Sequence, residues 1–324
     1  MEAVRPDVSL VIPVYNEEEC LPYLYDAVVE AMSDFDFEVV LVDDGSTDGS
    51  EGVLADLAER DARIRVVHFV RNSGQTAAIM AGIHHSRGPI LVTLDADLQN
   101  DPADIPEMIE MLDDADVICG WRRDRKDTWL TRTLPSKLAN AMISRISGVS
   151  LHDYGCTLRV YRREYLEQIP LYGEMHRFIP VYVTWAGARL REHPVQHHPR
   201  TFGTSKYGIF RTFKVLLDLS TVMFLRDYFT KPIYFFGKLG ALFGALGVIS
   251  GAAAVCLWAF AGWGRDSVLA ASLAILSPIL VVVAVLQISL GIIAEVLIRT
   301  HYEVQNQRAY QVRKMINIDI PEGS

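Results

Sequence analysis

The sequence predicts an α/β domain built on a mostly parallel sheet, followed by a membrane-embedded helical hairpin. Three observations carry this. Short apolar runs alternate with helix-length segments from Val8 to Gly120, the pattern of strands covered on both faces. Four of those runs end in polar residues: Tyr15-Asn16-Glu17, Asp43-Asp44, Arg71-Asn72 and Asp95-Ala96-Asp97. In a parallel sheet such ends lie along one carboxyl edge, where ligands bind. Further on, no charged residue occurs between Lys238 and Arg265 or between Asp266 and Glu295. Each run exceeds the ~20 residues that cross a bilayer.

The elements follow in order. Val8 to Val14 is a continuous apolar strand, and Glu17 to Ser33 reads as a helix whose acidic first turn suits the helix dipole. Phe37 to Val42 is the second strand. It runs into the turn-forming Asp43-Asp44-Gly45-Ser46-Thr47-Asp48-Gly49-Ser50, and a helix continues to Arg60. Ile64 to Val70 is the third strand and Gly74 to Ser86 the next helix. The fourth strand, Ile90 to Leu94, stops in Asp95, Asp97, Gln99, Asn100 and Asp101, with Pro102 blocking its continuation. A helix from Asp104 to Leu112, the strand Asp116 to Gly120 and a helix over 133–147 complete this part.

Composition narrows the class. The 324 residues suffice for one large domain or two modest ones, and a mean hydropathy of +0.17 is high for a soluble protein. Net charge is −9 and the pI about 5.5, which argues against nucleic acid as a partner. Cys20, Cys119, Cys156 and Cys256 lie far apart without zinc-type spacing and read as reduced thiols in the cytosol. Charges at Glu2, Arg5 and Asp7 rule out a signal-peptide core in the first ten residues.

The acidic end of the fourth strand admits two readings. Its oxygen-only donors suit Mg²⁺ or Mn²⁺, and Asp101 or Asp104 suits a helix N-cap. No Gly-x-Gly-x-x-Gly follows the first strand and no P-loop sequence occurs, so phosphate, if bound, falls to metal and side chains. The segment 120–137 carries Arg122, Arg123, Arg125, Lys126, Arg132 and Lys137 against only Asp124 and Asp127. In an acidic protein that surplus invites an anion, and arginine's planar fork suits phosphate. His197-His198 has no third metal ligand at a clear spacing and reads as a surface pair.

Val11-Ile-Pro-Val-Tyr-Asn-Glu17, Leu41-Val-Asp-Asp-Gly-Ser-Thr-Asp-Gly49, Arg71-Asn-Ser-Gly-Gln75 and Leu94-Asp-Ala-Asp-Leu-Gln99 resemble, in order and spacing, the successive motifs of glycosyltransferase family 2. The resemblance covers most of residues 7–206 and implies the A-type glycosyltransferase fold, a Rossmann-like, mostly parallel sheet. It implies that Asp44 binds uracil and that Pro13, Tyr15, Glu17 and Arg71 line the nucleoside pocket. Asp95, Asp97 and Gln99 would hold Mg²⁺ or Mn²⁺ and the donor diphosphate. Arg122, Arg132 and Lys137 would hold an acceptor phosphate. Arg200-x-x-Gly-x-Ser-Lys-Tyr resembles the family's loop over the diphosphate, with Arg200, Ser205 and Lys206 as donors. Asp153 stands where similar enzymes carry an acidic residue discussed as the catalytic base. A phosphate monoester, however, is largely a dianion at neutral pH, its second pKa being about 6. Asp153 then acts as base, positions Arg122, Arg159 or the sugar hydroxyls, or makes a plain loop contact.

Gly208 to Phe229 mixes Arg211, Lys214 and Arg226 with aromatic and apolar residues, and reads as interfacial helices. The expected organisation is a catalytic domain over 1–206, interfacial helices over 207–230, two spans within 231–300 (about 239–262 and 269–294) and a tail over 301–324. Lys231 and Lys238 precede the first span, and Arg299, Arg308, Arg313 and Lys314 follow the second. The positive-inside rule puts the catalytic domain and both termini in the cytosol, and the resemblance implies the bacterial inner (cytoplasmic) membrane. A two-span tail after such a domain resembles the polyprenyl-phosphate glycosyltransferases, of the bactoprenol glucosyltransferase kind. The implied activity is inverting transfer from a nucleotide sugar, a UDP-hexose such as UDP-glucose, to undecaprenyl phosphate. A homo-oligomer is compatible with the sequence. Two rivals stand beside this: a processive polysaccharide synthase, whose Gln-x-x-Arg-Trp is approached only by Gln305-Asn-Gln-Arg-Ala309, and a non-catalytic nucleotide-sugar-binding membrane protein.

Overall fold

The structure is a computed structural model. It describes residues 5–123, 140–141, 143–145, 147–167, 169, 175–199, 232–261, 266–303 and 310–318, without the side chains of 260, 261, 266, 267 and 298–303. The chain divides into two compact units, Met1–Leu219 with Arg308–Ser324, and Ser220–Gln307.

The first unit is organised by strands β1 (Val8–Val14), β2 (Phe37–Asp43), β3 (Ile64–Phe69) and β4 (Ile90–Thr93). Nearly every residue of β1 to β3 is buried, as expected of strands covered on both faces. β1 pairs in parallel with β2 and β4, and β2 with β3, so all four polar ends fall on one edge. Helices α1 (Leu21–Ala31), α2 (Ser50–Arg60) and α3 (Gln75–His85) connect them. The main core packs α1 and α2 residues such as Leu24, Val28 and Leu54 against Leu10, Ile12 and Leu41. On the opposite face α3 lies close to the sheet. A Cβ on Gly82 would meet Val11 Cγ1 at 2.2 Å, so only glycine permits this approach.

α4 (Ile105–Glu110) leads to β5 (Val117–Trp121), then come β6 (Arg159–Arg162), α5 (Arg163–Leu166), α6 (Ile179–Trp185) and β7 (Leu190–Pro194). The last strand is β8 (Val312–Ile316). The sheet has eight strands in the order β7-β5-β6-β4-β1-β2-β3-β8. The expectation of a mostly parallel sheet holds, with two exceptions. β6 enters antiparallel between β4 and β5, and β8 adds antiparallel to β3. A short strand's sequence encodes burial and not direction, which is why neither exception is readable beforehand. Within 301–324, expected as the C-terminal tail, Val312–Ile316 pairs with β3.

The second unit contains helices α7 (Ile233–Ala261) and α8 (Asp266–Glu303). Each contains a stretch long and apolar enough to cross a membrane, Ile233–Ala259 and Val268–Leu297, with mean hydropathies of 2.0 and 2.7. They pack on each other through small residues. A Cβ on Gly240 would lie 3.0 Å from Ala284 O, and one on Gly247 would lie 3.2 Å from Ser277 O. Ser277 Oγ donates to Gly247 O at 2.8 Å, and Ser250 Oγ donates to Leu273 O at 3.0 Å. Close backbone approach and inter-helix hydroxyl bonds are how helices associate in hydrocarbon. Trp258, Val255, Leu276 and Val282 are left exposed on the outside. The interfacial helices expected over 207–230 lie outside the described residues.

Candidate active site

The carboxyl edge of the sheet is built by loops that hold one another. Asn16, at φ 55, accepts from Thr47 N with its side chain at 2.7 Å and donates its own N–H to Ser46 Oγ at 3.0 Å. Glu17 N donates to Ser50 Oγ. The turn after β1, carrying Tyr15 and Glu17, is thereby fastened to the turn after β2. Asp43 and Asp44 then divide. Asp43 turns inward, accepting from His68 Nδ1 at 2.9 Å and from Ser46 N at 2.8 Å. Burial works to raise its carboxyl, yet these bonds outweigh it and leave the group below its usual range. Asp44 turns toward the loop after β3, accepting from Ser73 N at 2.6 Å and Gly74 N at 2.9 Å. Burial, only partly offset by those two bonds, pushes the Asp44 carboxyl up. Gly45 sits at φ 70, and a Cβ there would lie 2.6 Å from Arg71 C, so the loop carrying Arg71 rests directly on it. Pro13, Tyr15 and Glu17 are half-buried and Arg71 is exposed along this edge.

The acidic cluster follows β4. Gln75, at the start of α3, donates Nε2 to Asp95 Oδ1 at 2.7 Å. Asp97 Oδ1 accepts from Gln99 N, closing a tight turn in which Leu98 stands at φ 57. A leucine in this left-handed region costs roughly 1–2 kcal/mol, and its side chain packs on the main core. β6 buttresses the cluster from the side. Thr93 Oγ1 donates to Thr157 O, and Asn100 Nδ2 donates to Thr157 Oγ1. Asp95 keeps some solvent exposure. Even so, the crowding of protein around its carboxyl, with Asp97 as a like-charged neighbour, pushes it up to about 6, against the pull of Thr157, Arg122 and Arg159. Asp101 caps the following turn by accepting from Ala103 N, so the N-cap and the acidic cluster coexist on different residues. Among the described residues no group of three or more His, Cys, Asp or Glu side chains stands ready as a complete metal cage. Two carboxylates with an amide oxygen nearby fit Mg²⁺ or Mn²⁺, since such ions complete their shell with water and substrate phosphate.

Opposite stands an ion pair. Asp153, 6% exposed, receives Arg122 Nε at 2.7 Å and Nη2 at 3.0 Å, and also Gly155 N at 2.9 Å. Burial works to lower the Arg122 guanidinium's pKa, but Asp153 more than compensates and drives it up. A Cβ on Gly155 would lie 3.0 Å from Arg122 Nη2. Arg159 is buried beneath, donating to the carbonyls of Tyr154 and His176. His176 also meets Thr76 Oγ1 at 2.9 Å, tying the segment 175–178 to the start of α3. The sequence gives Gln75, Thr157 and His176 no separate role. Gln75 ends a quoted motif, while the other two are recognisable only once the chain has folded. Arg132, Lys137, Arg200, Ser205 and Lys206 lie outside the described residues. The segment leading toward Arg200 is fastened to the acidic loop: His198 N donates to Gln99 O at 2.8 Å, and its Nε2 meets Asp101 at 3.0 Å.

A sheet of this order, with an aspartate pair closing β4 and a nucleotide-type loop system after β1 to β3, defines an A-type glycosyltransferase fold. Residues 9–170 match the model of Glycosyl transferase family 2, and the chain belongs to that family. It is 41% identical over 322 residues to the dodecaprenyl-phosphate galacturonate synthase of Rhizobium johnstonii, covering 96% of this chain and 93% of that one. It is 35% identical over 316 residues to the undecaprenyl-phosphate 4-deoxy-4-formamido-L-arabinose transferase of Sodalis glossinidius, covering 96% and 94%. Among solved structures, the glucosyl-3-phosphoglycerate synthase of Mycobacterium tuberculosis in complex with Mn²⁺, UDP and glucosyl-3-phosphoglycerate shares the fold. Its TM-score is 0.52 at 16% identity, over 69% of this chain and 81% of that one.

Proposed function

We propose that this protein moves one sugar from a UDP-sugar to a polyprenyl phosphate such as undecaprenyl phosphate, with inversion at the anomeric carbon. The observation that carries the reading is the Arg122–Asp153 pair on the edge that also carries Asp95, Asp97 and the Asp44 loop. Two relatives matched over nearly their whole length bear polyprenyl-phosphate sugar transferase names. The acceptor's phosphate oxygen attacks the anomeric carbon. The bond from that carbon to the donor diphosphate breaks, and UDP leaves with the electron pair. No proton needs removing, because the lipid phosphate is largely dianionic at neutral pH. Asp153 is therefore a positioning residue. Its two oxygens fix the Arg122 fork, and Arg122 holds the phosphate in line for attack. Arg132 and Lys137 add charge to the same phosphate. Asp44 receives the uracil, with Pro13, Tyr15, Glu17 and Arg71 around the nucleoside, and Arg200, Ser205 and Lys206 close on the diphosphate. Asp95, Asp97 and Gln99 would hold Mg²⁺ or Mn²⁺, which on binding neutralises the leaving diphosphate.

The glucose donor expected from the sequence stands beside galacturonate, the sugar in the Rhizobium relative's name. The deciding experiment is incubation of the purified chain with undecaprenyl phosphate and UDP-glucose, UDP-galacturonate, UDP-N-acetylglucosamine or UDP-4-deoxy-4-formamido-L-arabinose, reading the lipid product by mass. One donor is expected to give a lipid-phosphate monosaccharide, and Asp97→Asn is expected to lower that rate by about 10²-fold or more. UDP binding without any lipid-linked sugar would sink the reading.

The reading also places the protein in the bacterial inner membrane with its catalytic domain and both termini in the cytosol. Support comes from β8, which follows the second apolar helix yet pairs with β3. Two crossings are what such a return requires.

A further inference from the structure

We propose that the strand after the membrane hairpin is a working part of the donor site, and that Tyr310 is the residue that positions it. The inference rests on the nucleotide-site reading above. Tyr310 is 7% exposed and belongs to the smaller core with Val40, Val42, Val67, Phe69, Ala77 and Ala78. That core underlies the first turn of α3, which begins at Gln75, and the end of β3, which feeds the loop 71–74. The Tyr310 ring stacks on Phe69 with centroids 5.0 Å apart and planes 12° apart. Its hydroxyl meets His84 Nδ1 at 3.0 Å. The next residue continues the contact, since Gln311 O accepts from Val70 N at 3.0 Å. The ladder between β3 and β8 shifts register between His68 and Phe69, and such irregularities re-aim a strand end.

The consequence runs along the chain. Val70 precedes Arg71, whose backbone rests on Gly45. Ser73 and Gly74 supply the N–H groups that hold Asp44. Gln75 holds Asp95. Tyr310 therefore supports, from beneath, both the nucleobase loop and the amide bonded to the acidic cluster. Its contacts with Phe69 and His84 lie on the donor side, and Arg122 and Asp153 belong to the acceptor side. Elsewhere β8 is fastened by contacts suited to a permanent strand. Asn317 Nδ2 donates to Ala58 O and Ile64 O, Arg65 Nε donates to Asn317 O, and Arg313 pairs with Glu51. Removing the Tyr310 ring leaves these in place and loosens the end nearest the donor.

The test uses the full chain in detergent or nanodiscs, with UDP titrated by calorimetry in the presence of Mn²⁺ and both Michaelis constants measured. Tyr310→Ala is expected to weaken UDP and raise the donor KM by about tenfold, the loss of one buried aromatic pair, with the polyprenyl phosphate KM unchanged. Tyr310→Phe keeps the stack and is expected within about threefold of wild type. Should the alanine variant not fold, Tyr310→Leu fills the space without the stack and takes its place. Wild-type UDP affinity in the alanine or leucine variant, or equal changes in donor and acceptor KM, overturns the proposal. Failure of the donor-site reading is distinct: the wild-type chain itself then binds no UDP.

Discussion

Asp43 and Asp44 are adjacent and chemically identical, yet the fold gives them opposite tasks. Asp43 is consumed by His68 and Ser46, and Asp44 faces the loop after β3. The choice of Asp44 as the nucleobase contact follows from family resemblance, and the geometry supplies a reason for it. Asp153 is the residue whose role most depends on geometry. Both of its oxygens are engaged by Arg122 and one also by Gly155 N, the geometry behind the positioning role proposed for it. Asp153→Asn is accordingly expected to lower acceptor kcat/KM while keeping the rising pH limb near about 6 that belongs to the lipid phosphate. A base role predicts loss of that limb, so pH profiles of wild type and variant decide. Arg122→Lys is expected to cost about 10²-fold in acceptor kcat/KM, because a point charge cannot serve Asp153 and phosphate at once.

At the scale of elements, the two ends of the sheet are specialised. The carboxyl edge carries the site, and the opposite edge carries a buried charge network that fixes β1, β2 and β3 together. Glu38, 1% exposed, accepts from Ser9 Oγ at 2.7 Å, Arg65 Nη1 at 2.9 Å and Arg87 Nε at 2.9 Å. Burial pushes its carboxyl up, but the bonds from Ser9 and Arg87 and the Arg65 charge prevail and leave it below the ordinary glutamate value of 4.5. A carboxyl depressed in the folded state stabilises fully above its ordinary pKa, and the contribution fades as pH falls through the folded value. Glu38→Gln is expected to cost about 3–5 kcal/mol at neutral pH by stranding Arg65. The gap to wild type should narrow as the medium is acidified below 4.5. Acid titration of both proteins followed by circular dichroism checks the sign.

At the scale of the molecule, the chain contributes strands to a single sheet from before and after the two apolar helices. β8 pairs with β3 through Val66↔Ile316 and Val67↔Met315, so residues on either side of α7 and α8 belong to one compact unit. On the proposed topology, an epitope placed at residues 262–265, between α7 and α8, is expected to be reached by antibody from outside intact spheroplasts. Epitopes at either terminus are expected to require permeabilisation. Labelling of a terminus in intact cells contradicts the two-crossing topology.

What the sequence by itself determined is what local pattern encodes. Largely apolar runs gave β1 to β4 within a residue at each end, because a strand buried on both faces is mostly apolar and its few polar residues are paired. The two charge-free stretches located α7 and α8, each long and apolar enough to cross a membrane. The four polar strand ends fall on one edge, because parallel strands bring those ends together. Tertiary structure decided what depends on residues distant in sequence. It set the antiparallel entry of β6 beneath the acidic loop, the bidentate Arg122–Asp153 pair across 31 positions, and the contact of His176 with Thr76. It also returned the final strand to β3. Strand direction and partner choice follow from packing and hydrogen bonds that no short window contains, and these turn a recognised set of motifs into a site with two distinct sides.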